Sequence, residues 1–225
     1  MRTVVSTLAL LFFIVLSTAS GGGYLRRDEP GDSPANKKDD APLKVGNNLP
    51  GTFHPYNVTG PHKQHFHCLI SEHGLEPMVM IFFKNADFSD PLPKLLKGLD
   101  AAIDKNPNTP FGAFVVFVPD DLPDAVGSNG KDQDTNNKND DARLELEKKI
   151  DQNGADMKLK HVVLCLDHKS DVAKFGLRDD NLITVVLYKK LKVVAVHALP
   201  KSDFTEAAVE KIMADVADKL GAKRK

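Results

Sequence analysis

Tryptophan is absent and tyrosine occurs only 3 times in 225 residues, so the 12 phenylalanines and the aliphatic residues must supply the core. Cysteine occurs twice, at Cys68 and Cys165. Two thiols so far apart exclude a disulfide-stapled scaffold and any C-x-x-C pair, and leave the fold to be held by its core. Neither sign of charge dominates: 30 basic and 31 acidic residues leave a formal charge of -1. The chain therefore has no electrostatic reason to take nucleic acid or an anionic surface as partner. No Gly-rich phosphate loop follows an apolar strand run and no G-x-S-x-G elbow occurs, so no cofactor is implied and no Ser/His/Asp triad can be nominated. No internal repeat is visible.

The apolar run at residues 4–16 follows Arg2 and precedes the small residues Thr18, Ala19 and Ser20. That is the pattern of a secretory signal peptide over residues 1–20, and the run is too short for the roughly 20 residues of a comfortable membrane span. The expected product is exported, periplasmic or extracellular, with no stable span after cleavage. Residues 21–43 are Gly-rich and then densely charged, and cannot repay the entropy of ordering; they are expected to form a disordered linker. A folded domain is expected over residues 44–221, with a polar, Asn-rich flexible insertion at 127–141 and a basic tail at 222–225. Asn57-Val58-Thr59 has the form of a glycosylation sequon.

Within the domain, residues 52–58 and 64–69 flank the turn signal Gly60-Pro61 and predict a leading hairpin. MVMIFF at 78–83, FGAFVVFV at 111–118 and HVVLCL at 161–166 are short continuous apolar runs, the signature of strands buried on both faces. Ser89, Asp90 and Pro91 predict a helix start, with Leu92, Leu95, Leu96, Leu99 and Ile103 on one face. A weaker helix at 142–153 rests on Leu146 and Ile150, and a single helical turn is expected at 171–175. Residues 182–188 and 193–198 are β-prone and separated by a turn too short for a crossover, so they must pair antiparallel. The last helix carries Val209, Ile212, Met213, Val216 and Leu220 on one face, with Asp203 and Glu206 spaced as a capping box. Alternating α and β elements closed by a hairpin and a helix predict one α/β domain, a mixed sheet flanked by helices on both faces with an N-terminal hairpin extension.

The segment Phe175-Gly176-Leu177-Arg178, with TVVLYK at 184–189 and the strand at 193–199, resembles the C-terminal half of thioredoxins. LCLDHKSDVAKFGL at 164–177 is similar to the redoxin branch, which includes peroxiredoxin-like proteins. The resemblance spans roughly residues 44–220 and implies a thioredoxin-like fold. The chain departs from that family at its reactive positions. The place of the C-x-x-C, just after the central strand, reads Asn85-Ala86-Asp87-Phe88-Ser89-Asp90-Pro91. F-x-x-x-D-F-S at 83–89 is similar to the approach to a peroxidatic cysteine, but Leu92 stands where the cysteine would follow. Ser89 is expected to cap the helix. Ile183 replaces the proline that lines the substrate groove, with an ordinary trans peptide expected.

The sequence-based expectation is thus an exported thioredoxin-fold protein without a dithiol site, acting as a non-catalytic binding or structural module. Its partner would be another exported protein or peptide at a groove beside the 175–199 hairpin. An alternative is a monothiol redox protein using Cys68, which with Ser71 forms a C-x-x-S arrangement like the upstream C-x-x-C of some secreted redoxin-like proteins. Cys165 is expected in the core, and a Cys68–Cys165 disulfide is left open. A further alternative is metal binding. His54, His62, His65, His67 and His73 cluster around Cys68, and alternation on a strand would put His65 and His67 on one face. Asp120, Asp121 and Asp124 are expected to form a polar turn.

Overall fold

The computed structural model describes residues 41–108, 111–122 and 133–221, with backbone alone for residues 133–139. The signal peptide, most of the linker, residues 127–132 of the insertion and the basic tail lie outside the described residues. Ala41 to Leu43 fall within the expected linker, yet Leu43 packs against the core and the backbone at Ala41 passes over Gly176 so closely that any Cβ there would clash.

Seven strands form one mixed sheet. In chain order they are β1 (Tyr56–Asn57), β2 (His65–Phe66), β3 (Met78–Phe83), β4 (Gly112–Phe117), β5 (Val162–Leu166), β6 (Ile183–Lys189) and β7 (Lys192–Leu199). Their spatial order is β2-β1-β5-β4-β3-β6-β7, with β3, β4 and β5 parallel and the remaining pairs antiparallel. The helices are α1 (Leu69–His73), α2 (Leu92–Asp104), α3 (Gln133–Met157) and α4 (Glu206–Leu220), with a 3-10 turn at Ala173–Phe175.

The continuous apolar runs are strands covered on both faces, as their composition predicts. Along β3, Val79, Ile81 and Phe83 join the layer that includes residues of α2, α3 and α4, whereas Met78, Met80 and Phe82 join a second layer. That second layer is built from Leu69 and Ile70 of α1, Val172 and Phe175 around the 3-10 turn, and Phe53. Phe53, Phe82 and Phe175 make a mutual ring cluster with centroids 4.9–6.0 Å apart, so Phe175 of the FGLR segment is a core element of this face.

Three local expectations are corrected. Residues 133–141 belong to α3 rather than to a loop. Their polar composition shows no apolar periodicity, and the helix they begin is anchored downstream, where Ile150 lies in the core and Leu146 packs against it. Ser89 does not cap α2. The residue before that helix is Pro91, with no side-chain cap, while Asp87 accepts the Ser89 amide at 3.0 Å and is held below the usual carboxylate range chiefly by that bond. Helix α4 is capped by Thr205, whose Oγ1 accepts the Ala208 amide at 3.3 Å, in place of the expected Asp203. The Ile183–Thr184 peptide is trans, as expected.

The β6–β7 connection is a two-residue loop, Lys190-Leu191, with φ of 53° and 61°. Both residues sit in the left-handed region that hairpin turns of this kind reserve for Asn and Gly. Replacing the pair by Asn-Gly is expected to raise unfolding stability by about 1 kcal/mol. Urea denaturation measures this directly, and a lowered midpoint would contradict the turn assignment.

Candidate functional site

The elements predicted as a hairpin are real but short, and this relocates Cys68. β2 ends at Phe66, and Cys68 is the residue that caps α1 rather than a strand residue. Its sulfur accepts the Ser71 amide at 3.3 Å and the Ser71 hydroxyl at 3.2 Å. The C-x-x-S spacing is therefore what closes this first turn: residue i+3 of a nascent helix returns its N–H and side chain to residue i. Only 4% of Cys68 is exposed, and the residue packs in the layer that also holds Tyr188. The Tyr188 hydroxyl is buried without a hydrogen-bond partner, and its ionisation is pushed up by burial, with the nearby Cys68 adding to the effect.

Cys165 is chemically different. It lies in β5, fully enclosed, with its thiol 3.3 Å from Asn57 Oδ1. Burial and then the charge of Asp167 raise its thiol well above the ordinary range, which keeps it neutral and unreactive. Both cysteines are free, so the disulfide left open by the sequence is not formed. Asn57 is itself completely buried, and Thr59 Oγ1 accepts the Leu164 amide at 2.9 Å. The sequon thus serves as a clasp between β1 and β5, and its asparagine is inaccessible to a glycosyl transfer in the folded chain.

The histidines divide into separate groups. His65 Nδ1 lies 2.9 Å from the Lys63 carbonyl. His73 pairs with Glu76 at 3.3 Å, and His54 is exposed. The residue that joins His67 is His62, whose ring stacks on it at 3.7 Å, and both face Glu72. Sequence reasoning missed Glu72 because its relation to His67 exists only once α1 turns back beneath the hairpin.

At the opposite end of the sheet, beside the start of β6, a pocket is lined by Phe82, Lys84, Asp120, Lys169, Arg178 and Thr184, among others. Lys84 and Lys169 bridge Asp120 at 3.2 and 3.8 Å, Lys84 Nζ donates to the Asp179 carbonyl at 3.0 Å, and Lys169 also pairs with the Asp179 carboxylate. The pocket lies beside the 175–199 segment. Asp120 belongs to its ion-pair network, whereas Asp124 lies outside the described residues. No thiol lines it.

Mixed sheet, flanking helices and closing hairpin together constitute a thioredoxin fold. Solved structures of that fold superpose on most of the chain at low identity. A protein described as the thiol:disulfide interchange protein DsbE from Chlorobium tepidum matches at TM-score 0.52 and 16% identity, covering 80% of this chain and 99% of its own. Peroxidoxin BcpB from Mycobacterium tuberculosis matches at TM-score 0.53 and 14% identity, covering 81% of this chain and 99% of its own. AhpC of the same organism matches at TM-score 0.50 and 13% identity, covering 79% and 94%. No family model and no curated relative matches the sequence. Among the described residues, no helix is long and apolar enough to cross a membrane.

Proposed function

We propose that this chain is an exported monothiol redox protein whose reacting atom is Cys68 Sγ. The observation that carries the proposal is the pair of hydrogen bonds from Ser71, its amide and its hydroxyl, that converge on that sulfur and orient it. Cys165 offers no competing nucleophile because enclosure keeps it protonated. The Cys68 thiolate attacks one sulfur of an external disulfide. A new S–S bond forms to Cys68, the old one breaks, and the departing thiolate takes up a proton. Ser71 cannot resolve the mixed disulfide, so a second, external thiol must attack it and release Cys68. The similar solved structures described as thiol–disulfide and peroxide proteins agree with this class of chemistry, and the apolar run at 4–16 supports export.

The test is incubation of the folded protein with oxidised glutathione, read by intact mass. One adduct is expected, retained in Cys165→Ala and lost in Cys68→Ala. Absence of any adduct on the native protein would end the redox proposal. The non-catalytic reading would then stand on the Lys84–Asp120–Lys169 groove, which offers both charge signs to an extended peptide.

A further inference from the structure

We propose that His62, His67 and Glu72 form a site for a divalent transition cation of the zinc class, with a coordination position left open to solvent. Glu72 Oε2 lies 2.9 Å from His67 Nε2 and 3.6 Å from His62 Nε2, and the three ligand atoms all fall within 4.8 Å of one another. Nitrogen and oxygen ligands about 2.0–2.2 Å from a tetrahedral ion sit roughly 3.3 Å apart, a value the two measured separations bracket. The rings are nearly parallel, at 18°, so binding requires them to splay until both lone pairs meet at the ion. The side chains are 31–40% exposed, so each has a solvent-facing side toward which to move.

What stays fixed is the backbone that carries them. The His67 amide donates to the Pro55 carbonyl at 3.1 Å, and the His65 amide to the His62 carbonyl at 3.2 Å. Gln64, with φ of 66°, donates its amide to Asn57 at 2.7 Å. Gly60, which opens the turn, packs so tightly on Val163 that a Cβ would come within 2.9 Å. Lys63 anchors the same turn to Asp151 of α3 at 2.8 Å. Glu72 is set by its own amide, bonded to the Cys68 carbonyl at 3.1 Å. Three donors on one restrained hairpin and one helical turn lose little freedom on meeting an ion.

The donor set selects the ion. Two imidazoles disfavour calcium and magnesium, which take oxygen ligands, and suit zinc or copper. The sulfur of Cys68 is engaged by Ser71 and does not join the trio, so the site is His2Glu without thiolate. Three protein ligands with a fourth position open resemble catalytic rather than closed structural zinc sites.

Isothermal titration of the full, tag-free chain with zinc chloride, repeated with copper chloride, tests the site. One equivalent is expected to bind. His62→Ala/His67→Ala should abolish that equivalent, and Glu72→Gln should weaken it at least about tenfold. A His65→Ala/His73→Ala variant should bind as the wild type does, which separates this trio from a general surface-histidine effect. Thermal unfolding without metal checks that each variant is folded, as its exposed position predicts. Absence of heat with either ion, or equal binding by His62→Ala/His67→Ala, overturns the proposal. Either result leaves the Cys68 adduct experiment unaffected, because the cation site contains no thiol.

Discussion

Asp100→Ala is expected to lower unfolding stability by about 3 kcal/mol without affecting any proposed reacting group. Asp100 lies on the inner face of α2, 8% exposed, and a single carboxylate oxygen accepts three successive amides at the start of β5: Lys160 at 2.9 Å, His161 at 2.7 Å and Val162 at 3.0 Å. Truncation leaves those donors without their acceptor where water reaches poorly, and charged acceptors make the more costly bonds to lose. Asp104, one turn further along α2, makes a comparable set of contacts to the side chains of His161 and Lys160, at 2.7 and 3.4 Å, but at the exposed surface. Asp104→Ala should therefore change stability little, since exposed pairs trade one hydrated state for another. Urea unfolding of both variants provides the comparison. Equal losses would mean that α2 is attached to β5 by charge in general and not by the Asp100 clasp.

Asp167→Asn is expected to stabilise the protein at pH 8, by about 2 kcal/mol, and to have almost no effect near pH 4. Asp167 follows β5, with one carboxylate oxygen accepting the His168 amide at 2.9 Å and the other buried without a partner. Burial, with the nearby Asp171 carboxylate adding to it, raises its ionisation from 3.8 to about 7, despite the His168 amide and Arg143 acting in the opposite direction. Because the folded value lies above the unfolded one, the folded state binds the extra proton between about pH 4 and pH 7, and stability falls as pH rises across that window. Asparagine keeps the acceptor for His168 and supplies a permanent donor toward Asp171, so the penalty above pH 7 disappears. Urea unfolding at pH 5 and pH 8 reads the difference, and a variant no more stable at pH 8 than the parent would show that Asp167 ionises freely.

Asp100 and Asp167 also mark the limit of what the sequence reveals. Each is one aspartate among many, in a helix or after a strand, with no periodicity or motif to single it out. Asp100 matters through β5 amides that only the packed sheet brings near, and Asp167 through a burial that only the packed fold supplies. The same holds for the redox candidate. C-x-x-S was legible as a spacing, but alternation along an assumed strand misjudged its setting, because the strand ends at Phe66 and Cys68 already begins a helix. Nor did alternation along the strand point to the ring neighbour of His67, which is His62, across a turn, with Glu72 closing the group from α1.

The sequence by itself determined the layer order, the doubly buried strands at 78–83, 111–118 and 161–166, the closing hairpin and helix, and the absence of a dithiol. Those properties follow from side-chain periodicity and from which residue types occur, both of which are local or countable. Tertiary structure alone decided which of two buried cysteines receives two hydrogen bonds, that the sequon is a buried clasp, and which two histidines meet one glutamate. Each of these depends on distances between groups on different elements, and those distances are set by the packing of the whole sheet.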